Sequence, residues 1–453
     1  MNASPAPPSA SSAAKAPDGP PPAPPARRAV VSWILYDLAN TIFSMGVISV
    51  YFPEWLKEVR GDRSVSVNNQ MVALSMGIIF VVSPLLGAMT DRARRRLPFL
   101  TVSTTVCVLL TALLTRVGYG MTLLLFVAAN IAYQAGVQFY DALLPEVSTE
   151  ENRGWIGGLG VGFGYLGAFI AVSFGWLLAG SHRWLLFPLI ALSFLAFALP
   201  CMIFVRERGN PHPAPINFHA IRESTARTIR TLRSTRAYPG LGRFLIGRVF
   251  YTDAINTVIG NMALFVLYVG QTDGLGIDEQ HRQKNLIFFF AIGCAVIGGL
   301  LWGRLADRWG PKRTLSVVLV TWLVLFASAG AIGLAQLPMA TMYPLAIGVG
   351  IALGGTWAAD RPFMLRLTPP DRVGEFYGLY GMVGRFSAIT GPVIYWLTFE
   401  FGRGILGLST LQGQGLATLT LLGMVAIAMA ILRPVSDRPR DWSALGSHCE
   451  SHG

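Results

Sequence analysis

The sequence predicts an all-α membrane protein in which twelve transmembrane helices form two pseudo-symmetric six-helix bundles. Three observations support this prediction: the composition, the number of long apolar stretches, and an internal repeat. Of the 453 residues, 53% are hydrophobic and 13% are charged, and the mean hydropathy is +0.50. Because about a quarter of the residues in a soluble domain are charged, this chain cannot cover a water-facing surface of its size. Most of it is expected to lie in lipid.

Twelve apolar stretches are long enough to cross a bilayer, which takes about 20 residues each. Each is expected to be a helix, because backbone groups in hydrocarbon must satisfy their own hydrogen bonds. The predicted crossings are residues 30–53, 69–90, 97–115, 120–142, 155–180, 184–205, 244–269, 285–305, 314–335, 340–360, 376–401 and 413–432.

The segments outside the crossings complete the domain prediction. Residues 1–29 are rich in Pro, Ala and Ser and have no apolar core, so we expect a disordered cytoplasmic tail and not a signal peptide. Residues 30–205 are predicted to form the first bundle and 244–432 the second. Between them, residues 206–243 are a polar, basic cytoplasmic linker, and residues 433–453 are a second cytoplasmic tail.

The net charge of +12 is explained by where the basic residues lie. With the N-terminus in the cytoplasm, 26 of the 36 Lys and Arg residues fall in cytoplasmic segments and 8 fall in loops on the other side. Positive residues collect in the cytoplasmic loops of membrane proteins, so both termini are expected in the cytoplasm. The positive charge therefore gives no reason to expect nucleic-acid binding.

Patterns that indicate enzymatic chemistry or a cofactor do not occur in the sequence. The four cysteines are far apart, so neither a disulfide framework nor a zinc site is predicted. The six histidines are expected in loops and the C-terminal tail, and there is no HExxH, GxSxG or P-loop motif. We therefore expect neither an enzyme nor a cofactor or ATP site.

An internal repeat relates the two predicted bundles. Several residue pairs share one offset of 216 positions, which chance does not maintain across separate segments. The pairs include Asp37 with Asp253, Asn40 with Asn256, Gly87 with Gly303, Asp91 with Asp307 and Arg92 with Arg308. Both halves have the same orientation in the membrane, so the repeat is parallel. Parallel six-helix halves are the arrangement of the major facilitator fold.

Two loops strengthen this resemblance. Residues 87–96 (GAMTDRARRR) and 303–313 (GRLADRWGPKR) resemble the two copies of the signature loop of the major facilitator superfamily, although the first copy lacks the later glycine. Residues 33–43, 143–167 and 369–388 are similar to the vacuole-effluxer-like family of major facilitators, in its bacterial form. Fungal autophagy-related members of that family are associated with amino-acid export from the vacuole. The resemblance implies a monomeric, multi-pass protein of a bacterial inner membrane.

Four ionisable residues lie well inside predicted helices: Asp37, Arg248, Asp253 and Arg385. An ionised side chain at the centre of a membrane helix costs about 2.5–3.5 kcal/mol, so each of them needs a partner or a function. Two acids and two bases can neutralise each other.

The two acids are candidate proton carriers. Asp37 and Asn40 are three residues apart, as are Asp253 and Asn256, so each pair lies on one face of its helix. The resemblance implies that both faces line a central cavity, since the first and fourth helices of each half do so in the superfamily. The alternative is that each pair braces the cytoplasmic end of its bundle by hydrogen bonding to neighbouring backbone.

A polar stripe runs along the predicted fourth helix. Asn130, Gln134 and Gln138 follow at steps of four, with Tyr133 beside them. Because polar groups facing lipid are costly, the stripe must face protein or water. It either lines the cavity or makes interhelical hydrogen bonds, worth about 0.6 kcal/mol each. Trp357, in the tenth helix, is likewise either a cavity aromatic or an interfacial anchor.

Arg385, in the predicted eleventh helix, can bind a carboxylate through two parallel hydrogen bonds. If that carboxylate belongs to a solute, an Asp in the opposite half can bind the solute's amine, which suits a zwitterion such as an amino acid. If it belongs to Asp37 or Asp253, the pair is structural. The sequence leaves both possibilities open.

The repeated loops predict a gate at the cytoplasmic surface. By resemblance, Asp91 with Arg92 and Asp307 with Arg308 are latches that hold the halves together when the cavity opens to the other side. Four further residues are predicted to extend these latches: Glu146, Arg153, Asp360 and Arg361. The alternative for the basic residues is topogenic charge, which does not explain the repeated Asp.

These residues predict a secondary transporter that moves a small polar solute, with a zwitterion among the candidates, by alternating access and proton coupling. Its expected partners are a small-molecule solute, the proton and the lipid bilayer. Two alternatives stay open: a proton-driven drug or metabolite exporter, and a transporter-shaped receptor or scaffold that binds a partner through its linker and tail. An exporter predicts a mostly apolar cavity, and a scaffold has no need of latches in both halves.

Overall fold

The computed structural model of the chain describes residues 26–148, 153–178, 184–208, 240–368 and 387–436, with isolated positions between 215 and 238 and between 379 and 384. Throughout these ranges the regular structure is helical. Most of the two predicted tails and most of the linker lie outside the described residues, so their predictions stand as predictions.

Long helices alternate with short connections along the described chain. Those of the first half are α1 (Arg27–Phe43, continued by a π-helical segment Ser44–Tyr51 and by Phe52–Arg60), α2 (Ser64–Arg92), α3 (Leu97–Leu113), α4 (Tyr119–Asp141), α5 (Arg153–Leu177) and α6 (Leu186–Phe204). Those of the second half are α7 (Leu241–Thr272), α8 (Ile277–Trp309), α9 (Pro311–Ala335), α10 (Met342–Leu367), α11 (Thr390–Gly404) and α12 (Thr410–Leu432). Each overlaps one predicted crossing.

By length and composition, eight helical stretches of the described chain are apolar enough to span a membrane. The first of them, Arg27–Ser83, covers the first predicted crossing and most of the second, because only the 3-10 turn at residues 61–63 separates α1 from α2. Two shorter apolar helices, Leu97–Leu113 and Gly162–Leu177, fall on the predicted third and fifth crossings. The remaining crossing corresponds to α11, which is 15 residues long.

Some helices extend beyond the crossings that hydropathy predicts. α1 continues to Arg60 where the predicted crossing ends at residue 53, and α8 begins at Ile277 where the predicted crossing begins at residue 285. The extensions contain Lys57, His281 and Lys284. The prediction that His281 lies in a loop is wrong, because the structure places it in the first turns of α8. Hydropathy misses these turns because charged residues end an apolar window without ending a helix.

Local chemistry explains where several helices begin and end. Gly310 has a φ of +86°, which favours glycine, and it ends α8, while Pro311 occupies the first turn of α9. Gly310 belongs to the second copy of the signature loop. The first copy, residues 87–96, does not need a glycine there, because its chain leaves α2 through Ala93 in an extended conformation with a φ of −65°. At α12, Ser409 and Gln412 form a capping box, in which each side chain accepts a hydrogen bond from the other's backbone N–H.

Helices α8 and α10 approach closely through glycines. A Cβ placed on Gly354 of α10 would overlap the carbonyl of Ala295 and the backbone nitrogen of Gly299 in α8. A Cβ on Gly350 would similarly overlap the carbonyl of Ala291. Small residues allow this backbone contact, which is the usual way in which membrane helices gain packing energy.

Replacing Gly354 by Ala is therefore expected to destabilise the fold. The added methyl forces α8 and α10 apart, and overpacking of this kind costs about 1–3 kcal/mol. Thermal unfolding in detergent should show a lower melting temperature. The matched control is Gly423→Ala in α12, where a Cβ meets nothing within 4 Å and a small gain in helix propensity is expected. Equal melting temperatures for the two variants would contradict the close contact.

A buried charge network joins α7, α10 and the segment before α11. Arg248 donates from Nε to Oδ2 of Asp360 at 3.0 Å and from Nη1 to the carbonyl of Tyr380 at 3.1 Å. The hydroxyls of Tyr251 and Tyr380 both donate to the Asp360 carboxylate, the latter at 2.6 Å. Arg248 is 4% exposed and Asp360 is fully buried. The network therefore satisfies both charges inside the second half.

The described ends of the helices define two sides of the molecule. On one side, which we call the linker side, Glu207 at the start of the linker accepts hydrogen bonds from the backbone nitrogens of Arg96 and Leu97 at 2.8 and 2.9 Å. A carboxylate at the N-terminus of α3 is favoured by the helix dipole. The opposite side contains the α1–α2, α7–α8 and α11–α12 connections.

Candidate functional site

A cavity of about 500 Å³ lies between the two halves. Its lining comes from α1, α2, α4 and α5 of the first half and from α7, α8, α10 and α11 of the second. Five of the predicted site residues line it: Asp37, Tyr133, Gln134, Asn256 and Trp357. Much of the remaining lining is apolar and comes from Met, Ile, Val, Leu, Ala and Phe side chains. The cavity thus combines a polar region with an extensive apolar wall.

Asp37 lines the cavity and is partly exposed to it. Glycines of α5 make room for its side chain: a Cβ on Gly160 would lie 3.0 Å from Asp37 Oδ2. No group among the described residues forms a hydrogen bond or ion pair with this carboxylate. Among the described residues, the positive charge of Arg361 in α10, in the other half, acts on it through space. Asp37 is therefore accessible to a proton or to the cationic group of a solute.

The repeat-related Asp253 has a different environment. It is fully buried and does not line the cavity, although its neighbours Asn256 and Thr257 do. Its Oδ2 accepts a hydrogen bond of 2.6 Å from the backbone nitrogen of Gly391, at the start of α11. A carboxylate in this position stabilises the N-terminal turn of a helix. Asp253 thus makes the backbone hydrogen bond that the bracing alternative predicts, while Asp37 lines the cavity.

The polar stripe of α4 divides between its two predicted uses. Tyr133 and Gln134 line the cavity, whereas Asn130 is fully buried and donates to Oγ of Ser75 in α2 at 2.7 Å. Gln138 is half-buried outside the cavity lining. Asn40 also lies outside the lining, buried within the first half.

Of the two predicted basic partners, Arg248 pairs with neither Asp37 nor Asp253. Arg248 pairs with Asp360, so Asp360 forms part of the buried network and is not exposed as a surface latch would be. Arg385 lies outside the described residues. Whether it binds the carboxylate of a solute or that of an Asp therefore stays open. Arg361 follows Asp360 in α10 and is partly exposed.

Two of the predicted gate residues pair with the linker. Arg92 forms an ion pair with Glu223, and Glu146 forms one with Arg208 at 3.3 Å. Asp307 and Arg308 are exposed, and neither forms an ion pair within the described part of the chain. Asp91 and Arg153 belong to α2 and α5, but their side chains lie outside what the structure describes.

Several hydrogen bonds join the halves on the opposite side. Asn69 and Asn261, which line the cavity, exchange two amide hydrogen bonds of 2.7 and 3.0 Å. Nearer the α1–α2 connection, the Tyr268 hydroxyl lies 3.1 Å from that of Ser64 and donates to the carbonyl of Gly61 at 2.5 Å. The cavity is therefore closed toward this side.

The sequence prediction missed Asn69 and Asn261. Their offset of 192 positions falls outside the repeat register, so the search for repeated pairs did not detect them. The signal that was available is polar: Asn68 and Asn69 stand at the start of an apolar stretch, and Asn261 stands inside another.

Comparison with known proteins identifies the family. The model of the Major Facilitator Superfamily matches residues 30–392. The chain belongs to this superfamily. As a major facilitator, it is a multi-pass membrane protein of a family of secondary transporters, and the predicted fold class is confirmed.

Individual relatives of this facilitator are distant. It is 26% identical over 418 residues to the MFS-type transporter YxiO of Bacillus subtilis (strain 168), covering 88% of this chain and 93% of the relative. It is 28% identical over 328 residues to autophagy-related protein 22-1 of Aspergillus fumigatus, covering 66% of this chain and about half (51%) of the relative. The predicted resemblance to the vacuole-effluxer-like family is thereby confirmed. Among solved structures, a mutant of the nucleoside transporter NupG superposes with a TM-score of 0.64 at 14% identity, over 90% of this chain and 99% of NupG.

Proposed function

We propose that this facilitator moves a small solute with a polar, amine-bearing end by alternating access, and that Asp37 couples the movement to protons. The observation that supports this proposal is the placement of Asp37: an acidic side chain that lines the cavity between the halves without a hydrogen-bond partner among the described residues. Ionisable residues inside membrane segments are costly and usually functional. Asp253, whose oxygen is bonded to the Gly391 backbone, is the less suitable of the two acids.

The solute that best suits the cavity is an amino acid or similar zwitterion with an apolar side chain. Asp37 provides a partner for an amine, and Gln134 and Asn256 provide neutral hydrogen-bonding groups. The apolar wall provides favourable burial of about 25 cal/mol for each Å² of apolar solute surface. The resemblance to the vacuole-effluxer-like family supports the amino-acid assignment.

An alternative solute class is favoured by one observation. Because the lining is largely apolar, a bulkier amphipathic amine would also be accommodated, as in a proton-driven exporter of drugs or metabolites. The two classes differ in their need for a carboxylate on the solute, which makes them separable by binding.

The orientation that we propose places the linker side in the cytoplasm of a bacterial cell, in the inner membrane. Its support is the distribution of basic residues, of which the segments on that side contain 26 and the other loops 8.

A thermal-shift screen on the purified protein tests the solute class. A solute at 100 times its Kd stabilises the folded state by about 2.7 kcal/mol, so we expect apolar amino acids to raise the melting temperature. The matched compounds are the corresponding amines, which lack the carboxylate, and the corresponding carboxylic acids, which lack the amine. Stabilisation by amines and amino acids alike would favour the exporter. Stabilisation by the carboxylic acids alone would contradict a role for Asp37 in binding.

A further inference from the structure

The contacts between the halves on the opposite side include a buried ion pair that no prediction included. Lys284 of α8 donates to the carboxylate of Glu54, in the last segment of α1. Lys284 is 1% exposed and Glu54 is 2% exposed. Both charges are thus withdrawn from water, and the ion pair is one of the interactions that stabilise each of them. A charge left alone in such a place is strongly unfavourable.

The surroundings of this ion pair add further polar contacts between the halves. His281 Nδ1 lies 2.6 Å from Oε1 of Glu54, and His281 Nε2 lies 3.6 Å from Oε1 of Glu58. Lys57 donates to the side chain of Gln280 at 3.1 Å. All of these contacts join α1 to α8, so any movement that separates the two helices breaks the whole set.

A second, neutral layer of contact between the halves joins α2 to α7 in the cavity lining. It is formed by Asn69 and Asn261, whose reciprocal amide bonds belong to the cavity lining. Each of these amides also donates to a carbonyl of its own helix, at 2.9 Å in both cases. The neutral layer is therefore anchored in each half independently, and its two side chains are joined by only two hydrogen bonds.

Water has a route to the ion pair without passing through the cavity. A second pocket, of about 730 Å³, is lined by Glu54, His281, Lys284 and Asn285, together with Trp176 of α5. When α1 and α8 separate, water entering from this pocket can solvate both charges. Separation of the two helices would thus turn a buried ion pair into two solvated charges, as a gate requires.

We propose that the Glu54–Lys284 ion pair is the lock of the gate opposite the linker side. It holds this side closed in the described conformation, and the cavity opens there when both the ion pair and the Asn69–Asn261 pair separate. The lock is distinct from the proposed solute and proton site, because Glu54 and Lys284 do not line the cavity. We assign to these two residues the conformational equilibrium of the carrier without solute.

The test measures access to the cavity from the side opposite the linker, without any solute. A reporter cysteine replaces Ser49, which lines the cavity and is 7% exposed, in a background with Cys294→Ala and Cys449→Ser. A membrane-impermeant maleimide is applied to membrane vesicles of both orientations. We expect slow labelling of the reporter from the side opposite the linker. Glu54→Gln and Lys284→Gln should each label roughly tenfold faster from that side, equivalent to about 1.4 kcal/mol in the opening equilibrium.

Two further variants decide between a lock and a general loss of structure. The exchange Glu54→Lys with Lys284→Glu restores an ion pair and should return labelling to the slow rate. Asp62→Asn removes an exposed pair with Arg403, which also joins the halves on this side at 3.1 Å, and should leave the rate within about twofold, because exposed pairs contribute little. Labelling is compared only in protein that elutes as a single folded species. Unchanged rates in both single variants, or fast labelling in the exchanged variant, would overturn the lock.

Discussion

Replacing Asp37 by Asn is expected to abolish solute accumulation driven by a pH gradient while leaving solute exchange in place. Asn keeps the size and polarity of the side chain but cannot take up or release a proton. Since the Asp37 carboxylate has no hydrogen-bond partner among the described residues, its neutral substitute leaves the described side-chain contacts of the fold intact. Accumulation in proteoliposomes should fall by roughly tenfold or more.

The measurement compares two fluxes in the same proteoliposomes. Uptake against an imposed pH gradient requires net proton movement, whereas exchange of labelled for unlabelled solute does not. Asp253→Asn is the matched control, because it changes the same residue type at the repeat-related position, where Oδ2 binds the Gly391 backbone. It should lower thermal stability and keep the response to the gradient. Normal accumulation in Asp37→Asn would remove Asp37 from the coupling mechanism.

Replacing Asp360 by Ala is expected to have the largest effect on stability. It would leave the Arg248 guanidinium, 4% exposed, without its carboxylate partner, and would leave two tyrosine hydroxyls without their acceptor. Removing one member of a buried ion pair typically costs 3–5 kcal/mol, or about a third or more of the stability of many domains. We expect the variant to unfold at a much lower temperature in detergent or to fail to accumulate in the membrane.

Two comparisons make this prediction specific to the buried pair. The double variant Arg248→Met with Asp360→Leu removes both charges and should recover much of the lost stability, because apolar replacements of buried pairs are often tolerated. Asp62→Asn, which removes an exposed ion pair, should change the free energy of unfolding by no more than about 1 kcal/mol. If the double variant is as unstable as Asp360→Ala, the cost arises from packing or from the two unpaired tyrosine hydroxyls, and not from the unpaired charge.

The sequence was sufficient for the fold because its evidence is periodic and distributed over the whole chain. Apolar stretches, the positions of basic residues and the 216-residue offset all lead to the same arrangement. The limits of helices were less predictable where charges enter a helix beyond the lipid, as in the extension of α1 to Arg60. Hydropathy cannot distinguish a charged loop from a charged helical turn.

The candidate site was only partly predictable, because pairing depends on distances that a sequence does not contain. Four ionisable residues inside predicted helices suggested two pairs, yet Arg248 pairs with Asp360, which was predicted to belong to the gate. Asp37 and Asp253 are equivalent in the repeat but differ in surroundings, since a glycine of α5 gives space beside one and the start of α11 binds the other. Lys284 was treated as a loop residue, and so its partnership with Glu54 was not considered.

The first helix links two regions that lie far apart. Asp37 and Glu54 both belong to α1 and are separated by the π-helical segment Ser44–Tyr51, so roughly 25 Å of one rod connects them. A small tilt of this helix at Asp37 therefore displaces Glu54 as well. Protonation of Asp37 would in this way alter the Glu54–Lys284 lock through the helix itself, without intermediate side chains.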